Sequence, residues 1–450
     1  MRAEGLPELA IRTFQYYYEQ LEEGASGTIS RKEIDPVADI PSAEELDTCD
    51  AGKKALAHTV VLKLNGGLGT SMGMTRAKSL LPVKDGNSFL DVIAKQILWL
   101  REQHACPVPL LLMDSFRTRD DSLAVLAKHE GLAGELPLDF LQHKVPRIRA
   151  DDRTPISWPA EPNYEWCPPG HGDLYTALLT SGILDALVEA GFRTAFVSNA
   201  DNLGAVLDLE LLGWFAESGA PFAMEVKERT VADRKGGHLA LRKEGGLLLR
   251  ETAQCPPEEQ AEFEDIKLYR FFNTNNLWLD LHALRETLRE RDGVLGLPMI
   301  KNLKPVDPRD PNSPQVIQLE TAMGAALSVF EGARAICVPA HRFAPVKTTN
   351  DLLSVRSDAY ELAADFRIVP APGAHPEDAL IDLDPRYFKT MDQLEARFPE
   401  GPPSMRECKE LVVRGDVHFG AGVVVRGSAR VEAPDGEVLR VPDGAVLSQA

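Results

Sequence analysis

The sequence lacks the marks of a disulfide-stabilised or zinc-binding protein. Its six cysteines lie far apart in 450 residues, form no Cys-x-x-Cys pair, and have no cluster of histidines beside them. A disulfide framework or a zinc site needs such grouped ligands. We therefore expect the cysteines to be buried thiols that take no part in chemistry.

Long apolar runs and an excess of positive charge are also missing. No run approaches the roughly 18 residues of a membrane span, and Met1 to Gly5 begin no recognisable signal peptide. The 49 basic residues are outnumbered by 68 acidic ones, and the net charge of −19 argues against nonspecific binding to nucleic acid or to anionic membranes. We expect a cytoplasmic protein that holds any anionic substrate in a local patch of positive charge.

The chain is long enough for two or three domains. Residues 1–50 predict a helical extension, in which Ile11, Phe14 and Leu21 share one face of a helix that ends near Gly24. We expect this helix to pack on the main domain.

Residues 51–370 alternate apolar strand candidates with helical patterns. The candidates lie at 60–64, 108–113, 194–197 and 222–226. This alternation predicts an α/β domain with a mostly parallel sheet, whose ligands bind at the carboxyl ends of the strands.

Residues 371–450 follow a different rule. Apolar residues recur every six positions in two series: Leu411, Val417, Val423, Ala429, and Val413, Phe419, Val425, Val431. A six-residue period is typical of a parallel β-helix. A coil of about four faces buries little by itself, so we expect it to lean on the main domain or on a second subunit.

The most informative motif is the glycine-rich loop after the first strand candidate. Gly66, Gly67, Gly69 and Gly73 let the backbone turn sharply and bring its N–H groups against a ligand, for which a phosphate is the natural guest. Lys78 then adds a cation suited to phosphoryl oxygens.

Two other readings of this loop exist. A P-loop has lysine directly after its last glycine, but Met74 follows Gly73 here. A dinucleotide fold needs Gly-x-Gly-x-x-Gly, and the third glycine arrives one residue late, although Asp85 could serve as its ribose-binding acid. The loop alone does not exclude a dinucleotide-binding oxidoreductase.

Further polar residues follow apolar runs. His171 lies between two glycines before a helix predicted from Leu174, with Asp173 as its N-cap. Asp201 ends a strand, where a carboxylate can hold Mg²⁺, and Asn199 and Asn202 offer amides to sugar hydroxyls.

Two more candidates lie later in the chain. Asn275 and Asn276 stand in an apolar run, and on a strand they would face opposite sides, so only one can contact a sugar. Lys347 lies between a short strand and a helix start, as a second cation for a triphosphate.

Together these motifs resemble the eukaryotic UTP–glucose-1-phosphate uridylyltransferase family from about residue 14 to residue 431. The strings that carry the resemblance are Leu64-Asn65-Gly66-Gly67-Leu68-Gly69-Thr70-Ser71-Met72-Gly73, Lys78-Ser79-Leu80, Pro168-Pro169-Gly170-His171-Gly172-Asp173, Asp201-Asn202-Leu203-Gly204, Lys235-Gly236-Gly237, Asn273-Thr274-Asn275-Asn276-Leu277-Trp278, Gln318-Leu319-Glu320-Thr321-Ala322-Met323-Gly324-Ala325-Ala326 and Pro345-Val346-Lys347-Thr348-Thr349. The chain departs from the family pattern at Ala77, usually proline, and at His143-Lys144, usually Ser-Arg.

The resemblance implies a nucleotide-diphospho-sugar transferase domain, Rossmann-like, followed by a left-handed β-helix. It implies one set of nucleotide-binding residues: Leu64, Asn65, Gly66, Gly67, Lys78, Gln142, Gly170, Asp201 and Lys347. Gln142 and Gly170 would recognise uracil, and Lys78 and Lys347 would be catalytic. It also implies a set at the glucose 1-phosphate: Gly66, Gly67, His171, Asn199, Asp201 and Asn275, with Asn276 as the alternative to Asn275.

The same resemblance implies synthesis of UDP-glucose and pyrophosphate from UTP and glucose 1-phosphate, with Mg²⁺ held by Asp201. The sugar phosphate would attack the α-phosphorus in line. Two alternatives stay open: a UDP-N-acetylhexosamine pyrophosphorylase, and a noncatalytic nucleotide-sugar-binding or scaffold protein. The C-terminal β-helix is a candidate contact for a homo-oligomer.

Overall fold

The computed structural model of the protein describes residues 1–448. The helices are α1 (Glu8–Glu22), α2 (Cys49–Ala55), α3 (Phe89–His104), α4 (Arg119–Leu126), α5 (Leu174–Thr180), α6 (Ile183–Glu189), α7 (Leu209–Ser218), α8 (Gln260–Phe263), α9 (Leu281–Glu290), α10 (Thr349–Arg356), α11 (Pro385–Phe388) and α12 (Met391–Arg397). The strands up to residue 337 are β1 (Ile34–Pro36), β2 (Thr59–Leu64), β3 (Pro82–Lys84), β4 (Asn87–Ser88), β5 (Leu110–Asp114), β6 (Asp139–Leu141), β7 (Val145–Pro146), β8 (Ile148–Arg149), β9 (Trp166–Cys167), β10 (Thr194–Asn199), β11 (Phe222–Glu228), β12 (His238–Arg242), β13 (Leu247–Arg250), β14 (Phe271–Asp280), β15 (Met299–Pro305), β16 (Gln315–Thr321) and β17 (Arg334–Cys337). The later strands are β18 (Tyr360–Leu362), β19 (Ile368–Pro370), β20 (Leu380–Leu383), β21 (Ser404–Arg414), β22 (Asp416–Phe419), β23 (Val424–Glu432), β24 (Val438–Val441) and β25 (Val446–Leu447).

A large mixed sheet organises the main domain, with strand order β1-β12-β14-β10-β2-β5-β6 and with β11, β13 and β17 joined at its side. Strands β10, β2, β5 and β6 pair in parallel, so their carboxyl ends meet at one edge. The predicted α/β domain is confirmed, and its site strands are parallel. Strand β14 instead runs antiparallel to β10 and β11, a direction that an alternation of strands and helices does not reveal.

Strand β2 forms because its apolar residues are buried on both faces of the sheet. Val60, Val61 and Leu62 are buried, as expected for a central parallel strand. Lys63 is also buried, and its ammonium donates to Ser198 Oγ and to the Ala205 carbonyl oxygen, both at 2.6 Å. Desolvation lowers the pKa of Lys63 to about 7.

The N-terminal helix packs on the main domain, as predicted. In α1 the side chains of Ile11, Tyr17 and Leu21 are buried. The Tyr18 hydroxyl donates to the Arg153 carbonyl oxygen at 3.0 Å. Helix α1 ends at Glu22, close to the expected stop.

The C-terminal strands pair in parallel: β20, β21, β23 and β25 form one sheet, and β22 pairs with β24. All eight apolar residues of the two six-residue series are buried, so the period correctly located this core. The same apolar cluster contains Met72 and Leu81, which flank Lys78. In addition, a Cβ placed on Gly73, whose φ is 75°, would lie 2.9 Å from the Thr390 Cβ. The C-terminal region, which includes Thr390, thus packs directly on the glycine loop.

Within residues 1–448 no helix is both long enough and apolar enough to cross a bilayer. The cysteines are free thiols. Cys167, Cys255 and Cys408 are buried and the other three are half-buried, so the expectation of burial holds for half of them.

Candidate nucleotide-binding site

A pocket of about 280 Å³, open to solvent, lies at the carboxyl ends of β2, β5 and β10. Its lining consists of Leu64, Asn65, Gly66, Gly67, Lys78, Ser79, Met113, Gln142, Pro168, Gly170, His171, Asn199, Ala200 and Asp201. Every residue predicted for the nucleotide and the sugar phosphate lines this pocket except Lys347 and Asn275. The sequence prediction therefore converges on one cavity.

The glycine loop is folded back on itself by its own backbone. The Lys78 N–H donates to the Gly67 carbonyl oxygen at 3.0 Å, which fixes where the lysine leaves the loop. A Cβ on Gly66 would lie 2.8 Å from Gln142 Oε1. Glycine at position 66 thus lets the Gln142 carboxamide lie directly on the loop.

Asn65 contributes its backbone to the pocket, because its side chain points into the protein. The Asn65 amide donates to Asp114 Oδ1 and to Ser122 Oγ, both at 2.7 Å. Burial raises the pKa of Asp114 to about 6. Sequence reasoning missed Asp114, although the rule that selected Asp201, an acid at the end of an apolar strand, applies to it equally.

Lys78 and Asp201 meet across the pocket. Lys78 Nζ donates to Asp201 Oδ2 at 2.6 Å, and the two side chains are 15% and 26% exposed. The predicted phosphate-binding cation and the predicted metal-binding acid are therefore adjacent and accessible from the pocket. Asp201 is the one carboxylate among the lining residues of the described chain.

His171 is held as a neutral hydrogen-bond donor. The Met323 N–H donates to His171 Nδ1 at 3.0 Å, so the ring proton lies on Nε2. Burial lowers the pKa of His171 to about 4. Gly170 and Gly172 permit this position, because a Cβ on either would lie 2.3 Å from an oxygen of Thr321.

The loops that carry Gln142 and Gly170 are joined by two contacts. Gln142 Nε2 donates to the Gly170 carbonyl oxygen at 2.9 Å. The Asp173 carboxylate accepts from the His143 backbone N–H at 2.7 Å and contacts His143 Nδ1 at 2.9 Å. Asp173 occupies the N-cap position of α5, but its side chain makes no capping hydrogen bond. The prediction that its carboxylate caps the helix is wrong, because His143 takes that carboxylate.

The amides near Asp201 divide into two kinds. Asn199 lines the pocket. Asn202 is buried; its amide donates to Asn276 Oδ1 and to the Arg342 carbonyl oxygen, both at 3.2 Å. Of the two amides, Asn199 is therefore the one that faces the pocket.

Asn275 and Asn276 lie in different surroundings, and a β-bulge separates them in place of the regular strand alternation that was expected. Asn276 is completely buried and donates to Glu225 Oε2 at 3.0 Å. Asn275 is half-buried at a β-bulge, has a φ of 58°, and accepts from Asn273 Nδ2 at 2.9 Å. Of the pair, Asn275 is thus the one with exposed surface, although it does not line the pocket.

Lys347 follows a residue that is bonded to the backbone of Asp201. The Val346 N–H donates to the Asp201 carbonyl oxygen at 3.1 Å. The Lys347 ammonium lies 5.6 Å from the centre of the Phe343 ring and the side chain is exposed. Its assignment to phosphate binding stays a prediction.

Ser79 was missed by sequence reasoning as a separate candidate. Its side chain lines the pocket and is buried, and Oγ has no hydrogen-bond partner within residues 1–448. A buried hydroxyl without an internal partner is available to bond a group that enters the pocket. The only sequence signal was its place directly after Lys78.

An ion pair beneath the pocket supports Asp201. Glu225 accepts from Arg342 Nε and Nη2, both at 2.8 Å, and from Trp278 Nε1 at 3.0 Å. The Arg342 carbonyl oxygen in turn accepts from Asn202, the residue after Asp201. Strand β11 thus positions the segment that carries the acid.

A glycine loop at the carboxyl ends of parallel strands, with a lysine and an acid across the pocket, defines an α/β protein that binds a phosphorylated ligand. The family model described as UTP–glucose-1-phosphate uridylyltransferase matches residues 11–426. The uridylyltransferase of Hordeum vulgare is 43% identical over 408 residues, which cover 90% of this chain and 83% of that protein. The protein of the same name from Saccharomyces cerevisiae is 41% identical, with coverage of 87% and 77%.

The solved structures agree with these sequence relatives. A mutant of the UDP-glucose pyrophosphorylase of Leishmania major, crystallised in complex with UDP-glucose, superimposes with a TM-score of 0.93 at 44% identity, covering 99% of this chain and 96% of that one. The chain belongs to the UTP–glucose-1-phosphate uridylyltransferase family. The resemblance carried by the motifs is confirmed.

Proposed function

We propose that the protein transfers the uridylyl group of UTP to glucose 1-phosphate, giving UDP-glucose and pyrophosphate. The observation that carries this proposal is the Lys78–Asp201 pair, at 2.6 Å, inside a pocket built on a glycine loop. The names of the relatives and the structure with bound UDP-glucose support the same reaction.

The reaction is an in-line substitution at phosphorus. A phosphate oxygen of glucose 1-phosphate forms a bond to the α-phosphorus of UTP, while the bond from that phosphorus to the bridging oxygen breaks and its electron pair leaves with pyrophosphate. Phosphate monoesters have a second pKa near 6, so the attacking group is already ionised at neutral pH. No side chain has to act as a general base.

The chain's part is positioning and neutralisation of charge. The backbone from Leu64 to Gly67 faces the triphosphate, and the Lys78 ammonium neutralises phosphoryl oxygens. Lys347 is the second cation proposed for this task, because the preceding residue, Val346, is bonded to the Asp201 backbone. Gln142 and Gly170 recognise the uracil.

The sugar phosphate occupies the side of the pocket formed by the turn that contains Gly170, His171 and Gly172. His171 donates Nε2–H to its oxygens, since Nδ1 is engaged by Met323. Asn199 and Asn275 contact the sugar hydroxyls.

Asp201 fits a magnesium site. Mg²⁺ is usually held by one or two carboxylates together with substrate phosphates and water, and Asp201 supplies one accessible carboxylate in the pocket. When bound, the ion would neutralise phosphate charge.

We propose three regions: a helical extension at residues 1–50, a catalytic domain at 51–370 and a C-terminal β-helix domain at 371–450. The parallel pairing and the six-residue spacing of buried residues support a left-handed β-helix at the C-terminus. We propose this coil as the contact of a homo-oligomer and the cytoplasm as the location.

The experiment is an assay of pyrophosphate release from each nucleoside triphosphate with each sugar phosphate. UTP with glucose 1-phosphate should be the best pair. Preference for N-acetylhexosamine 1-phosphate would favour the rival pyrophosphorylase. No release with any pair, combined with tight binding of UDP-glucose, would favour a binding protein. A fluorescence titration with nicotinamide cofactors checks the oxidoreductase.

A further inference from the structure

The uracil side of the pocket is braced by a buried contact between two loops. His143 and Asp173 are 8% and 5% exposed at their side chains, and His143 Nδ1 lies 2.9 Å from Asp173 Oδ1. The other ring nitrogen, Nε2, lies 3.0 Å from Thr180 Oγ1. Asp173 precedes α5 and Thr180 ends it, two turns along the same face. The imidazole therefore lies along one side of the helix and touches both of its ends.

This contact fixes the backbone at residue 143 and thereby the position of its neighbour Gln142. The Asp173 carboxylate also accepts from the His143 backbone N–H at 2.7 Å. The residue before His143, Gln142, donates from its carboxamide to the Gly170 carbonyl oxygen. One amide N–H of Gln142 is used in that bond, which leaves its second N–H and its carbonyl oxygen for a nucleobase. Small movements of the backbone at residue 143 would turn these groups away.

We propose that His143 is a positioning residue for nucleobase recognition, acting through its bond to Asp173 on the orientation of Gln142. The inference rests on the proposed function and adds to it a residue outside the pocket lining. His143 does not line the pocket, so we expect its effect on the affinity for the nucleotide and not on the chemical step.

The test separates nucleotide affinity from turnover in His143→Ala. A buried, charge-assisted hydrogen bond is lost, so the KM for UTP should rise about tenfold or more. The kcat and the KM for glucose 1-phosphate should stay within about threefold of the wild type, because misplacement is confined to the base side. Equal rises in both KM values, or a wild-type KM for UTP, would overturn the proposal.

Two conservative variants locate the essential nitrogen and serve if the alanine variant does not fold. The side-chain amide of His143→Asn lies near the position of Nδ1 and can still donate to Asp173, whereas that of His143→Gln lies near Nε2. We expect the asparagine variant to restore the UTP KM to within about threefold and the glutamine variant to leave it raised. Equal or reversed values would refute a role through Asp173.

The chain provides a matched control in another histidine–aspartate pair. His129 Nε2 lies 2.8 Å from Asp91 Oδ1, with side chains 11% and 25% exposed, away from the pocket. His129→Ala should lower thermal stability without changing the KM for UTP, and a rise like that of His143→Ala would overturn the proposal. Wild-type protein that releases no pyrophosphate from UTP and glucose 1-phosphate would instead overturn the proposed function, which the first measurement of the series reveals.

Discussion

Lys78 and Asp201 form an ion pair at 2.6 Å although 123 residues separate them in the chain. In this pair each residue satisfies the charge that the other would otherwise present unpaired to the pocket. A phosphate and a cation that enter together can replace it, with the ammonium turning to the phosphate and the carboxylate to the cation. The pair therefore predicts that nucleotide and metal bind cooperatively.

Replacing Lys78 by alanine should reduce turnover by about two to three orders of magnitude, the range seen when a single group that stabilises developing charge is removed. Pyrophosphate release under saturating substrates measures this. Lys53→Ala is the control, because Lys53 is an exposed lysine of α2 that pairs with Asp50 and does not line the pocket. Turnover unchanged in the Lys78 variant would remove this residue from the mechanism.

Chelation of divalent cations should abolish pyrophosphate release without lowering the melting temperature. We expect the melting temperature to stay the same because Lys78 pairs with the Asp201 carboxylate at 2.6 Å and can satisfy its charge. Asp201→Asn should raise the Mg²⁺ concentration for half-maximal rate about tenfold or more, as for other lost metal contacts. Full activity in the presence of a chelator would contradict the metal assignment.

His171→Ala should lower kcat/KM for glucose 1-phosphate about tenfold to a hundredfold. Burial lowers the pKa of His171 from 6.5 to about 4, so the ring is neutral at every pH of a normal assay. The ratio of wild-type to variant activity should therefore be constant from about pH 5.5 to pH 9. A ratio that changes near pH 6.5 would mean that the ring titrates; His282→Ala, at an exposed histidine, is the control.

The same shift affects stability. Between pH 4 and 6.5 the folded protein binds fewer protons at His171 than the unfolded chain does. The contribution of this residue to the free energy of unfolding is complete above pH 6.5 and is lost as the pH falls toward 4. Urea unfolding of the wild type and of His171→Ala across this range measures the difference.

Glu225→Leu should destabilise the protein by about 3–5 kcal/mol, because the buried Arg342 loses its hydrogen-bonded carboxylate and keeps only the more distant Asp208 at 3.9 Å. The urea midpoint measures the loss. The double variant with Arg342→Met should recover part of it, since the unpaired charge is removed, while the buried Trp278 Nε1–H and the Asn276 amide still lack their acceptor. A double variant that is less stable than the single one would show that the arginine has other essential partners.

Ser79→Ala should weaken nucleotide binding without lowering stability. Its buried Oγ has no partner within residues 1–448, so removal of the hydroxyl loses no internal hydrogen bond. We expect the KM for UTP to rise about threefold to tenfold while the melting temperature stays the same or increases. An unchanged KM would leave the hydroxyl without a role in the pocket.

The sequence predicted best where the physical rule is local. The apolar run before Gly66 gave β2 and the loop, and the six-residue period gave the buried positions from Leu411 onward, because both patterns are set by residues close together in the chain. Asp201 was found because an acid directly follows its strand.

The contacts that sequence reasoning missed connect distant segments. The sequence pattern predicts that Asp173 caps a helix, and only the fold brings His143 close enough to bind its carboxylate. Asn65 was placed at the ligand by family resemblance, whereas the structure turns its side chain inward to Asp114. A rule based on sequence assigns a polar side chain to a partner nearby in the chain. In these two cases the fold brings in a partner from a distant segment instead.

The contact between Gly73 and Thr390 means that the protein cannot be shortened to its sheet domain without consequence. A protease cut or an early stop codon before Thr390 would remove the support behind the glycine turn and uncover Met72. Truncated forms should thus bind triphosphates more weakly while the sheet is still folded. The full-length chain is therefore the appropriate form for engineering substrate range.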